Sequence, residues 1–293
     1  MDPSTRSLNL ILISIVNGFF FFIGIFLNSI VIICLLRSNQ HLKRLCSFMI
    51  LVLSCFDLAT VIVCHPLIIT STYIWSTGDN EQTNIYHRVK KYSNILFHFS
   101  FMALLVMNID RFLAVSFPFF HRLNVTRRRL MALLGVFLVL ILVERVLAYR
   151  DIFGIMCYAA EAVLVGALLV VIFVINCKMY KTAKTAQRVA TTGISTCILA
   201  VACFIVFSAP LLIYSAIQFA PDTLHQGNGK LFSLWASTFA CMNSSVNCLL
   251  FFWKDRNLRQ EGAKVLEGFV KRESSTFETD NHDMRAIKNH REA

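Results

Sequence analysis

The sequence predicts an all-α membrane protein, a bundle of seven transmembrane helices followed by a short amphipathic eighth. Three observations carry that fold class. The 293 residues are 56% hydrophobic and only 15% charged, with a mean hydropathy of +0.63, too apolar for one water-soluble core. Seven apolar stretches recur at 8–36, 45–75, 84–117, 130–148, 155–180, 190–219 and 231–253, near or above the roughly 20 residues a helix needs to cross a bilayer. The segments between them are too short to hold a domain. The chain divides into a short extracellular N-terminus at 1–7, the bundle at 8–253, an amphipathic helix at 254–270 and a cytosolic tail at 271–293.

Each element has its own justification. The first stretch follows a single basic residue, Arg6, and is about twice as long as the apolar part of a signal peptide, so it reads as a span. The second is apolar apart from Asp57, and the third ends in Asp110-Arg111-Phe112 with Pro118 beyond it. The fourth follows Arg127 to Arg129, and the fifth carries Glu161 near its start. The sixth contains Pro210, which removes a backbone donor and marks a hinge. The seventh is interrupted by Asn243, Ser244 and Asn247. After Trp253, Leu258, Val265, Leu266 and Phe269 fall on one side of a helix, the pattern of an interfacial element. No internal repeat relates the two halves, so a transporter built from inverted repeats gains no support.

The net charge of +11 comes from 28 Lys and Arg against 17 Asp and Glu, and its placement sets an orientation. Arg37, Lys43, Arg44, Arg122, Arg127 to Arg129, Lys178, Lys181, Lys184 and Arg188 lie in one set of loops, eleven basic residues without an acid. The opposite set holds seven, among them Arg88, Lys90, Lys91 and Arg145, diluted by five acids. Basic short loops stay on the cytosolic side, so the N-terminus is expected outside and the C-terminus in the cytosol. Charge distributed in this way is not the footprint of a nucleic-acid binder. Of ten cysteines, only Cys157 lies near an external loop; the others sit in or beside apolar stretches and read as packing residues, not a disulfide framework.

Polar groups within hydrocarbon are costly. Asp57 lies about 12 residues from the cytosolic start of its span, roughly 18 Å deep. Its carboxyl must be protonated, or must receive a cation and hydrogen-bond donors from other helices. Asn28, Ser100, Asn243, Ser244 and Asn247 stand at similar depths on three other helices. Singly, such residues hold helices together; as a set they form one layer with Asp57 at its centre. Asp110-Arg111 alone would be a snorkelling pair at a helix end.

Taken in order, these residues resemble the rhodopsin-like (class A) family of G-protein-coupled receptors over about 27–266. Leu27-Asn28 is similar to the family's GN pair, Leu53 with Asp57 to LxxxD, and Asp110-Arg111-Phe112 to DRY. Asn243-Ser244-Ser245-Val246-Asn247-Cys248-Leu249-Leu250-Phe251 resembles NSxxNPxxY, and Phe207-Ser208-Ala209-Pro210 resembles CWxP. The resemblance implies a plasma-membrane receptor, surrounded by lipid, that transduces an extracellular small-molecule, lipid or peptide ligand into activation of a heterotrimeric G protein. Arrestin and a receptor kinase are further implied partners. Asp57, Ser100, Asn243, Ser244 and Asn247 match the positions that hold an allosteric sodium ion. Asp110, Arg111, Phe204, Pro210, Asn247 and Phe251 match an activation switch.

The departures are specific. Phe112 and Phe251 stand for the two motif tyrosines, and Cys248 for the proline of the seventh helix. Tyr86 lies near the place of the cysteine that staples the third helix, and the fifth span has no proline. Both absences resemble the melanocortin, lysophospholipid and cannabinoid receptor branch. Cys241 stands where retinal would need a lysine, so no retinal or other covalent cofactor is implied, and Ser93 replaces the acid that binds amines. His65, Ser93, His98 and Glu161 face the expected ligand cavity. Ser274, Ser275, Thr276 and Thr279 lie beside acidic residues in the tail, as phosphorylation sites or as part of a disordered spacer.

Rival classes make other demands. A cation channel or transporter using the Asp57 layer needs polar groups continuing to both faces, whereas Leu249, Leu250, Phe251 and Phe252 seal the inner side. An enzyme is not expected, since no HExxH or paired histidine cluster is present. The altered motifs also fit a decoy receptor that binds without signalling.

Overall fold

The structure, a computed structural model, describes residues 3–37, 44–77, 80–149, 155–185, 191–217, 228–254, 256, 258–265 and 267–268; at 3, 80–94, 148–149, 155–162, 183–185, 191–197, 215–217 and 228 it describes the backbone alone. The described residues are almost all helical, with no strand among them. The helices are α1 Pro3–Arg37, α2 Leu45–Thr77, α3 Asn80–Ser116, α4 Pro118–Asn124, α5 Arg127–Tyr149, α6 Ile155–Thr185, α7 Thr191–Ile217 and α8 Asn228–Lys254. Every apolar stretch thus forms one long helix. Residues 258–265 are also helical, with Leu258 and Val265 buried and Arg259, Gln260, Ala263 and Lys264 exposed.

Among the described residues, five segments are long and apolar enough to cross a membrane: Ser4–Arg37, Leu45–Thr77, Ile95–Ser116, Arg127–Leu147 and Val163–Thr182. Ile198–Tyr214 is a shorter apolar helix. α8 is less apolar for a physical reason, since one face is built from Asn243, Ser244, Ser245 and Asn247, all buried.

The helices close into a ring. α1 packs on α2 and α8, α8 on α7, α7 on α6, α6 on α5, α5 on α3, and α3 on α2. α3 also touches α4, α6, α7 and α8, so it runs through the middle. Its stretch from Phe101 to Met107 is accordingly buried on every side, whereas Val136, Val139, Leu140, Val143 and Val146 of α5 are exposed. Asn17, Asn28, Asp57, Asn108 and Asn247 are wholly enclosed. Polar groups inside and large apolar groups outside suit hydrocarbon as the surrounding solvent.

Two details differ from the sequence reading. The basic segment after Phe117, read as a loop, folds into α4, with Pro118 in the first turn where its fixed φ is favourable and its missing N–H costs nothing. Leu249 is exposed, so the inner seal below Asn247 consists of Leu250, Phe251 and the half-buried Phe252.

Candidate functional site

Asp57 is fully enclosed on α2 and receives donors from two other helices. The Ser100 hydroxyl of α3 donates to Oδ1. Asn247 Nδ2 of α8 donates to Oδ2 at 3.2 Å, and the Ser244 hydroxyl also bonds the carboxyl. Asn28 of α1 joins this layer through α8. Its Nδ2 donates to the Gly24 carbonyl at 2.9 Å and the Ser244 carbonyl at 3.3 Å, and its Oδ1 accepts from the Cys248 thiol at 2.7 Å. Ser54 Oγ lies 3.8 Å from the same sulfur. Cys248, where the motif it resembles has proline, thereby gives α8 a side-chain donor that proline lacks.

Whether this layer suits a cation is tested by its remaining oxygens. Asn243 and Asn247 stand one turn apart on α8, and the Oδ1 of each is buried without a hydrogen-bond partner among the described residues. Two bare amide oxygens with a carboxylate and two hydroxyls make a hard, all-oxygen donor set. Among the described residues, no group of three or more His, Cys, Asp or Glu could hold a metal.

At the far end of α3, Asp110 is fully buried and both of its oxygens are engaged. Arg111 Nη2 donates to Oδ2 at 2.9 Å, and His121 Nε2 of α4 lies 2.8 Å from Oδ1. An ionised carboxylate only accepts, so Nε2 carries the hydrogen. The rings of Phe112 and Phe117 meet edge to face at 6.0 Å, so Phe112 supplies packing at this corner. Above it, Asn176 Nδ2 of α6 donates to Asn108 Oδ1 at 3.1 Å. His121 and Asn176 were not singled out from the sequence. A histidine three residues after the loop proline was the one available signal, and it reaches Asp110 only once α4 has formed.

Phe204 of α7 is buried and stacked on Phe101 and Phe97 of α3, with ring centroids 4.7 and 5.6 Å apart and planes within 17°. Pro210 lies within α7, nearer its C-terminal end. Phe251 of α8 is buried below Asn247.

The residues proposed for ligand contact separate. His65 is enclosed, with Nδ1 2.7 Å from Asn17 Oδ1 of α1. His98 turns toward α5, where Arg145 Nη2 lies 3.4 Å from its Nε2. Arg145, near an outer loop in sequence, is only 6% exposed and pairs with Glu144 at 3.2 Å, so it belongs to the bundle. A charge near a helix end belongs to the loop or to the bundle according to its angle around the helix axis, which loop counting does not register. The side chains of Ser93, Glu161, Arg88, Lys90 and Lys91 lie outside the described residues, as do Leu266, Phe269 and the tail residues Ser274, Ser275, Thr276 and Thr279. Among the described residues no cysteine pair is joined in a disulfide.

Residues 21–149 match the family described as the serpentine type 7TM GPCR chemoreceptor Srsx. The matched part contains Asn28, Asp57, Ser100, Asp110, Arg111 and His121 but not α8. The match covers less than half of the chain, and it lends nothing to the melanocortin, lysophospholipid and cannabinoid branch. No curated protein matches the chain.

Proposed function

We propose that this chain is a seven-helix chemoreceptor of the plasma membrane, rhodopsin-like in its motifs, that converts binding of an extracellular ligand into nucleotide exchange on a heterotrimeric G protein. The observation that carries the reading is the buried Asp57 carboxylate tied by Ser100 and Asn247 to two neighbouring helices. Its cost in hydrocarbon is sustained only where those helices keep one particular arrangement, which makes the arrangement one of two discrete states that a ligand can bias.

At rest, Asp110 holds Arg111 and α4 against the end of α3. On activation, α7 swings at Pro210, Phe204 leaves its stack on α3, and Arg111 turns from Asp110 toward the G protein. Asp57, Ser100, Asn243, Ser244 and Asn247 would hold a sodium ion in the resting arrangement. That ion supplies a counter-charge to the carboxylate. The buried Leu250 and Phe251 below Asn247 speak against a cation conduit.

The test is Arg111→Ala in cells carrying a promiscuous G-protein reporter, screened against a small-molecule panel. Any agonist response found with the unaltered chain should vanish in the variant while surface expression is retained. A response that survives at full size counts against the reading.

A further inference from the structure

A second polar layer lies across the same helices that carry Asn28, Asp57 and Asn247, displaced away from Asp110. Asn17 of α1, His65 of α2 and Thr238 of α8 are each fully buried. They stand 11, 8 and 9 residues from Asn28, Asp57 and Asn247, which is roughly 12 to 17 Å along the helix axes.

The direction of every bond in this layer follows from its outer partners. Thr238 Oγ1 donates to the Leu234 carbonyl at 2.8 Å, so it accepts from Asn17 Nδ2 at 2.9 Å. The same amide nitrogen donates to the Ile13 carbonyl at 2.8 Å. A flipped amide would set an oxygen against that carbonyl, two acceptors facing each other. The amide oxygen of Asn17 is therefore what faces His65 Nδ1 at 2.7 Å, and Nδ1 must carry the hydrogen. In a neutral imidazole, Nε2 then presents a bare lone pair. Nε2 is buried and has no partner among the described residues.

We propose that His65 Nε2 anchors a neutral hydrogen-bond donor, an alcohol, phenol or amide N–H carried on an otherwise apolar ligand. The proposal rests on the receptor reading above and adds the chemical class of the ligand. Leu10, Ile13, Cys64, Ile68, Leu234 and Cys241 form one apolar cluster around the layer. In such surroundings one hydrogen bond is strong, and an analogue lacking the donor leaves Nε2 unmet. An anion meets a lone pair, and an ammonium group meets no carboxylate among the three residues of the layer. The lone pair thus sets the polar group of the ligand.

The test uses the full chain in lipid nanodiscs, labelled with 15N-histidine, and two probes, 4-ethylphenol and its methyl ether. His65→Asn keeps a donor toward Asn17 but has nothing at the Nε2 position; His65→Gln puts an amide oxygen near it. The His65 Nε2 resonance, identified by its loss in His65→Asn, should be that of an unprotonated acceptor. It should move with the phenol and not with the ether. The phenol should bind the unaltered chain about tenfold or more tighter than the ether, a preference lost in His65→Asn and partly restored in His65→Gln. A protonated Nε2, equal shifts with both probes, or no shift at saturating phenol, as when water alone meets the lone pair, overturns the proposal. Selective binding of the phenol without any G-protein exchange supports the site while counting against the receptor reading.

Discussion

At the scale of single residues, His121 is the most consequential side chain. Asp110 is fully buried and has one partner on each oxygen, so removing His121 leaves half of a carboxylate unmet. Hydrogen bonds to charged groups contribute about 1.5–3 kcal/mol, and about 1.4 kcal/mol is a factor of ten in an equilibrium. If the bond belongs to the resting state, His121→Ala should shift the equilibrium toward the active state by roughly ten- to a hundredfold and raise ligand-independent nucleotide exchange, read as GTPγS binding in membranes. An unchanged basal rate would show that this bond does not hold the resting state. Asp57 gives a second residue-scale expectation. Replacing sodium by N-methylglucamine should alter basal exchange in the unaltered chain and leave Asp57→Asn indifferent. Equal sensitivity in both would remove the ion from this layer. Cys248 shows how a departure from a motif can become a contact, since its thiol reaches Asn28 where a proline could not.

At the scale of elements, the closest approach of three helices is set by one glycine. A Cβ on Gly24 of α1 would collide with Ser245 Oγ of α8 and come within 2.8 and 3.0 Å of the Val61 methyls of α2. Neither neighbour gives way easily, because Val61 is stiff at χ1 and the Ser245 hydroxyl donates to the Phe20 carbonyl at 3.1 Å. Gly24→Ala should therefore overpack the site, at a cost of about 1–3 kcal/mol, and lower the melting temperature in detergent. Gly18, on the same helix, has nothing within 4 Å. Gly18→Ala should stabilise by about 0.5–1 kcal/mol through helix propensity. Opposite signs at two positions six residues apart distinguish close packing from propensity, and matching signs would contradict the close approach.

These elements also show how far the sequence could be read. Hydropathy located every long helix, and counting depth along each one placed Asp57, Ser100, Ser244 and Asn247 at a common height. Depth does not fix the angle around a helix axis, and three surprises lie there. Arg145 turns inward to His98, Leu249 turns outward, and Asn28 meets Ser244 and Cys248 instead of the acid. His121 was hidden for another reason, since its contact depends on a seven-residue helix with no buried residue and hence no apolar pattern.

At the scale of the whole molecule, the cation–aromatic contacts show which helix ends share a face. The Arg127 guanidinium sits over Phe48 at 5.1 Å, joining the first turns of α5 and α2. Arg6 sits over Trp75 at 4.4 Å, joining the start of α1 to the end of α2 at the opposite face. The first face also holds the Asp110, Arg111 and His121 cluster and the basic loops that contain no acid, so it is the face that should lie in the cytosol. An epitope placed before Pro3 should then bind antibody on intact cells, and one placed after Ala293 only after permeabilisation. The experiment decides more than topology, because Arg111 can meet a G protein only from the cytosolic side. Labelling of the C-terminal epitope on intact cells would put Asp110, Arg111 and His121 outside, and the signalling role drawn for them would fail with it.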